Sequence, residues 1–333
     1  MKKILVIHTA YIGDVILITP LLRAIKQLFP KSYLSVIVVP STKLILSENP
    51  YVDEILTFDK RENKFKAFRK LLERVKQETF DIAFLPHSSM TTTLLAFLSR
   101  IPQRIGFDRW LPKYLLTERV PFREGIHRIN KNLELLSPIT NKNFSLQTEI
   151  FTSHQISIKI NKLAERFPCE KLIAVAPGSI WYTKRWKERY YKRLSEKLNQ
   201  HGFFIILIGS PEEQDICEKV APSRDYFIAG GKLNLLESAE LIKKCDLMVC
   251  NDCGALHIAN AVETDVIAFF GPTTRDIGYF PFRRNDKIVE ADLSCRPCGS
   301  HGGEKCPLSH HKCMENIKPE QIFKIVMDYF AEK

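Results

Sequence analysis

The segment NDCGALHIANA, Asn251 to Ala261, lies between two apolar runs, DLMVC (Asp246 to Cys250) and VIAFFGPT (Val266 to Thr273). Short apolar runs bounded by polar turn residues read as buried strands. The spacing predicts a strand, a tight turn at Gly254, a short helix and a second buried strand. Gly254 has no side chain, so a ligand can approach the backbone there. The N–H groups of Ala255, Leu256 and His257 open the helix without intrahelical partners, at the positive end of its dipole. That arrangement favours a bound anion, most often a phosphate. The same corner also serves as a plain strand–helix joint with no ligand.

The rest of the chain repeats this grammar. KILVIHTA, LSVIVVP, DEILTF and DIAFLPH read as strands in the first half, with helical spacing in DVILITPLLRAIKQLF and over 62–78. KLIAVAPGS, FFIILIGS and YFIAGG read as strands in the second half, with helices from Lys187 and Pro211 and another in LLESAELIKKC. Such alternation argues for parallel sheets covered by helices, and 333 residues suit two domains of about 150 residues each. The expected fold class is α/β, two doubly wound Rossmann-like domains with ligands at strand ends. Residues 101–125, rich in proline, arginine and aromatics, read as a loop region, and the polar stretch 139–157 as a linker zone. The domains are placed at 1–155 and 156–318, with a final helix in 319–333.

Composition sets the class of partner. The net charge is +11 and the pI is near 9.1. A surplus of this size attracts nucleic acid, anionic lipid or anionic small molecules alike. The charge is spread over a basic helix from Lys60 to Lys76 and a cluster from Lys184 to Arg193, either of which also suits a solvated helix face. No apolar run approaches the roughly 20 residues needed to span a bilayer. MKKILVIHTAYIGD has an apolar core of only about five residues running into a Gly-Asp turn, a first strand rather than a signal peptide. A cytoplasmic location is expected, and the nine cysteines then sit in a reducing compartment without structural disulfides.

Four segments fall at the carboxyl ends of predicted strands. In AYIGDV, Gly13 permits a tight turn and Asp14 opens a helix, as a helix cap or as a general base. GxGxxG is absent, so a nicotinamide dinucleotide fold has no local support. In APGSIWYTKRW, Ser179 and Thr183 offer hydroxyls beside Lys184 and Arg185, a set suited to neutralising a diphosphate leaving group. In LIGSPEEQ, Gly209 ends a strand, and Glu212 or Glu213 either favours the helix dipole or holds a ribose hydroxyl pair. The fourth is the phosphate corner, where Asp252, Cys253 and His257 join the backbone donors of Gly254 and its neighbours. Separately, Cys295, Cys298, Cys306 and Cys313 form C-x2-C-x7-C-x6-C. Four thiols so spaced can hold zinc or an iron–sulfur cluster, or remain unliganded. The other five, Cys169, Cys217, Cys245, Cys250 and Cys253, read mostly as small core residues.

Taken together, IGDVILITPLLRAIK, APGSIWYTKRW, NDCGALHIANA with FFGPT, and the late CRPC…KCPLSHHKCM resemble glycosyltransferase family 9, with the nearest likeness to heptosyltransferase II-type members. The resemblance implies a GT-B architecture with two Rossmann-like domains facing a cleft and the final helix crossing back to the first. It implies that the C-terminal domain holds ADP-L-glycero-D-manno-heptose and the N-terminal domain a lipid A-core acceptor of lipopolysaccharide. It further implies an inverting transfer that needs no cofactor or divalent cation, at the inner face of an anionic inner membrane. Carried over by motif, Asp14 becomes the base, Thr183, Lys184 and the amides around Cys253 and Gly254 meet the diphosphate, and Glu212 or Glu213 meets the ribose. The family usually has Ser or Thr where this chain has Cys253, so that hydroxyl contact is lost. Arg104, His127 and Arg128 are candidates for anionic acceptor groups. The competing readings are a relative using another nucleotide sugar, and a basic metal- and nucleic-acid-binding protein. A nucleic-acid partner is not expected, because the positive charge is not concentrated near the cysteines.

Overall fold

The computed structural model describes residues 1–59, 64–87, 89–109, 111–168 and 171–332. Cys169 and the first residues of the basic helix anticipated from Lys60 lie outside them. The chain divides into two compact units, Met1–Phe151 and Thr152–Lys333.

The first unit carries strands β1 (Lys3–Ile7), β2 (Tyr33–Val38), β3 (Glu54–Thr57), β4 (Ile82–Leu85), β5 (Gln103–Phe107) and β6 (Glu118–Val120). Its helices are α1 (Ile12–Ile16), α2 (Thr19–Leu28), α3 (Lys64–Glu78), α4 (Met90–Leu98) and α5 (Arg128–Glu134). All strand pairs are parallel, in the order β3-β2-β1-β4-β5-β6. The apolar run DVILITPLLRAIKQLF, read as one helix, is two. Pro20 has no N–H to give to the Ile16 carbonyl, and the Thr19 hydroxyl donates to that oxygen instead (2.8 Å). Residues 101–125, read as loop, contain β5 and β6. These strands lie at one side of the sheet and are only partly buried, so they lack the apolar run that marks a central strand.

The second unit runs α6 (His154–Ala164), β7 (Leu172–Ala176), α7 (Glu188–Gln200), β8 (Phe204–Leu207), α8 (Gln214–Val220), β9 (Tyr226–Ile228) and α9 (Leu235–Lys243). It continues with β10 (Leu247–Asn251), α10 (Gly254–Ala261), β11 (Val266–Phe270), β12 (Lys287–Glu290), α11 (Lys312–Glu315) and α12 (Pro319–Ala331). Its parallel sheet, β12-β11-β10-β7-β8-β9, repeats the strand order of the first. Each sheet therefore reverses its winding once, between β1 and β4 and between β7 and β10. Crevices beyond the carboxyl ends of strands at such reversals are where open α/β sheets bind ligands.

The linker stretch has no strand. It is tethered by Arg23 of α2, a buried guanidinium that donates to the carbonyls of Ser145 (3.0 Å) and Gln147 (2.9 Å) and pairs with Glu149 (2.6 Å). The last helix, α12, has anchors in the second unit. Ile322 and Val326 join the core formed with Leu194 and Leu198 of α7, and the Tyr329 hydroxyl lies 2.9 Å from both the Asp246 carbonyl and the Asp265 carboxylate. The apolar stripe of α12 matches a neighbour within its own unit.

Candidate active site

In the second unit the winding reversal brings the turn after β7, Pro177–Ser179, beside the turn after β10. Asn251 joins them. It is fully buried, and its side-chain amide donates to the carbonyls of Pro177 (2.8 Å) and Gly178 (3.1 Å). Its oxygen accepts from the Trp186 N–H (2.9 Å) and the Tyr191 hydroxyl (3.1 Å). Every hydrogen-bonding position of the amide is thus used. Sequence reasoning passed over this residue, although a polar side chain ending an apolar run was its signal.

Helix α10 starts as the sequence indicated. Cys253 is its N-cap in extended backbone (φ −149°) and makes no side-chain cap bond. Burial pushes its thiol up to about 12, so it stays protonated. The cation beside this helix start is Lys184, whose Nζ lies 2.6 Å from Asp252 Oδ2, with both side chains largely buried. The Thr273 hydroxyl donates to the same oxygen (2.6 Å). The Asp252 carboxylate, anticipated as a nucleotide contact, therefore holds Lys184 in place. A buried pair of this kind contributes geometry more than net stability.

Thr183 is clamped by the cysteine-rich loop. Its N–H donates to the Gly303 carbonyl (3.0 Å), its hydroxyl accepts from the Gly303 N–H (2.8 Å), and its carbonyl sits 2.8 Å from His311 Nε2. The hydroxyl keeps its own proton as a donor. Arg185 donates to the Ser179 carbonyl (2.7 Å), which fixes the Ser179 turn. Glu213 lies in the crevice, where a Cβ on Gly178 would come within 2.1 Å of its Oε1, and Oε2 accepts from the Ser210 N–H (2.9 Å). Glu212 is exposed. His257 is buried on α10 in an edge contact with Tyr279 (6.4 Å). Gly209 closes β8 beside Glu213 and Cys217.

In the first unit the reversal gathers residues after β1 and β4. Gly13 and Asp14 lie in the first turn of α1, Asp14 half-buried. His8, directly after β1, is fully buried and meets His87 edge-on (6.2 Å, 85°). Arg128 opens α5 and donates to the Pro86 carbonyl (2.8 Å), while His127 caps that helix through Nδ1, which accepts from the Ile129 N–H (3.2 Å). Arg104 is not part of this group. It stands level with Ala83 and Leu5 in mid-sheet, and its guanidinium donates to the carbonyls of Leu115 (2.7 Å) and Ile101 (2.5 Å). It secures the segment between β5 and β6, which leaves it little freedom to hold an acceptor.

A family profile described as glycosyltransferase family 9 (heptosyltransferase) matches residues 68–307, well over half of the chain. The chain belongs to glycosyltransferase family 9. A lipooligosaccharide heptosyltransferase 2 of Campylobacter jejuni is 24% identical over 330 residues, covering 97% of each chain. The solved family 9 glycosyltransferase of Veillonella parvula superposes with a TM-score of 0.88 at 20% identity, over 100% of this chain and 98% of that one. Escherichia coli ADP-heptose LPS heptosyltransferase II superposes at 0.82 with 19% identity, over 100% and 99%. These likenesses show the fold.

In this glycosyltransferase the four late thiols are neighbours. Burial pushes Cys313 up to about 11, and Cys298, Cys306 and Cys295 add to the shift against Arg296. Burial also acts to raise Cys306, but the amides of His311, Leu308, His310 and Ser309 outweigh it and hold that thiol below its usual range. Among the described residues, no group of three or more His, Cys, Asp or Glu side chains is arranged to hold a metal ion. What the loop visibly does is brace Thr183. Arg296 in turn ties the loop to the end of β11, donating to the carbonyls of Phe270 (2.9 Å), Thr273 (3.1 Å) and Gly271. No helix among the described residues is long and apolar enough to cross a membrane.

The buried His8 is expected to make the enzyme acid-sensitive. Burial pushes its imidazole from 6.5 down to about 3, Asp14 opposing the shift and Arg128 and His87 reinforcing it. Below about pH 6.5 the unfolded chain binds a proton that the folded chain refuses, so stability is full above that pH and falls toward 3. At about pH 5 the loss is about 2 kcal/mol. The melting temperature is expected to drop between pH 7 and pH 5, and to drop less in His8→Phe. Equal drops in the two proteins would count against this account.

Proposed function

We propose that the enzyme moves heptose from ADP-L-glycero-D-manno-heptose to the inner core of lipopolysaccharide, with inversion at the anomeric carbon. The observation that carries the reading is the buried Lys184–Asp252 pair beside the start of α10, at the winding reversal of the second sheet. In glycosyl transfer, positive charge develops on the sugar while negative charge moves onto the departing diphosphate. A fixed ammonium and preorganised N–H donors stabilise that negative charge, each donor by about 3 kcal/mol. This machinery does not call on a divalent cation. The Thr183 hydroxyl and the amides from Cys253 onward add donors, and Glu213, already in the crevice, is the better placed acidic residue for the ribose.

Asp14 takes the proton of the acceptor hydroxyl as that oxygen attacks. One carboxylate suffices, because a nucleotide diphosphate leaves without being protonated. The acceptor is the lipid A-core, held in the first unit near Gly13, His127 and Arg128. The net charge of +11 favours a peripheral place on an anionic membrane surface. Calorimetric titration with ADP-heptose, ADP-glucose and UDP-sugars tests the donor, and NMR of the product tests the anomeric outcome. Tightest binding is expected for ADP-heptose. Preference for a UDP-sugar defeats the assignment.

A further inference from the structure

The polar group with the least explained environment in the first unit is His8. It follows β1, its N–H continues the ladder to the Ile37 carbonyl (2.9 Å), and its side chain is wholly enclosed. Yet neither ring nitrogen makes a hydrogen bond of normal geometry. A buried imidazole left so is costly, on the order of 1–3 kcal/mol for each unmet group. Phenylalanine fills a similar volume without that cost.

The surroundings suggest what the nitrogens are for. His8 lies at the reversal between β1 and β4, where open α/β sheets bind ligands. The titratable and charged groups acting on it are Asp14 from α1, Arg128 from α5 and His87 from the turn after β4. Arg128 adds a second unmet donor, since its Nε is buried without a partner. Asp14, through its carboxylate and its main chain, is the neighbour that pulls a proton toward the ring. The ring is neutral at neutral pH, so it offers one N–H and one bare nitrogen.

Resting on the reading of Asp14 as the base, we infer that His8 is a positioning residue: with acceptor bound, its ring N–H donates to the Asp14 carboxylate and aims it at the attacking hydroxyl. A neutral donor suits this task. A charged one would form a salt bridge and blunt the basicity of the carboxylate, whereas an imidazole orients it at little loss of reactivity. The proton path stays simple. The hydroxyl proton passes to Asp14, the oxygen forms the new glycosidic bond, and the nucleotide diphosphate departs with its electron pair.

Four variants test the proposal: His8→Phe, His8→Asn, His8→Gln and Asp14→Asn, with His8→Phe also made in the Asp14→Asn background. Melting temperature at about pH 8 serves as the check on folding. His8→Phe is expected to lower kcat by roughly tenfold to a hundredfold, with acceptor KM and ADP affinity within about twofold. The acid limb of its kcat profile is expected to move to higher pH, because a donor to the ionised carboxylate has gone. Whichever of Asn or Gln places its amide N–H at the lost position is expected to recover most of the rate. The His8→Phe deficit should vanish when Asp14 is already asparagine. Normal kcat and an unmoved acid limb in His8→Phe, with Asp14→Asn inactive, overturn the role of His8 alone. A deficit carried in acceptor KM, or one that persists undiminished in the Asp14→Asn background, overturns it as well. Near-normal turnover of Asp14→Asn instead removes the base reading on which the inference stands.

Discussion

Asp14→Ala is expected to bind ADP as the parent does and to lose heptosyl transfer by roughly 10²–10⁴-fold, the usual contribution of a positioned general base. The separation follows from where the residues lie. Asp14 belongs to the first unit, whereas Lys184, Thr183 and the start of α10 belong to the second, so truncating the carboxylate should leave the proposed nucleotide contacts as they are. The loss should appear in kcat, because a general base acts on a proton that moves only as the bond forms. Rapid-quench turnover with calorimetry of ADP binding measures both halves. Turnover near that of the parent would sink the base assignment.

Lys184→Ala is expected to do more than remove one cation. Its partner Asp252 would remain buried beside the Thr273 hydroxyl, without its ammonium. Breaking a buried pair from one side costs about 3–5 kcal/mol of stability. The stranded carboxylate would also face the incoming diphosphate with like charge. ADP affinity should fall by at least tenfold to a hundredfold, the worth of a charge-assisted hydrogen bond, and transfer should fall further. The double variant Lys184→Ala with Asp252→Ala separates the causes. It should regain most of the melting temperature and part of the ADP affinity, since the unpaired charge is gone, while transfer stays low. If Lys184→Ala alone binds ADP normally, the diphosphate does not meet this lysine.

The strand–turn–helix corner at Leu247–Ala261 was legible in the sequence because its signals are local. Four apolar residues, a turn and a glycine specify their conformations without help from the rest of the chain. The same locality misled elsewhere. β5 and β6 were missed because strands at the side of a sheet need no continuous apolar run. The break between α1 and α2 was missed because the apolar spacing continues through Pro20, and the bond from the Thr19 hydroxyl to the Ile16 carbonyl reveals the interruption. Arg104 read as a ligand candidate on residue type alone, yet the carbonyls of Ile101 and Leu115 engage it.

The order of apolar runs and turns was enough to determine an α/β chain of two doubly wound units. Hydrophobic periodicity is written along the chain, so a linear reading recovers it. Only the tertiary structure decided which polar groups meet. Asn251 joining two turns, Asp252 holding Lys184, the Gly303 loop clamping Thr183 and His8 buried near Asp14 are all pairings between segments far apart in sequence or brought together by a turn. Such contacts depend on strand order and register, which side-chain chemistry does not encode one residue at a time.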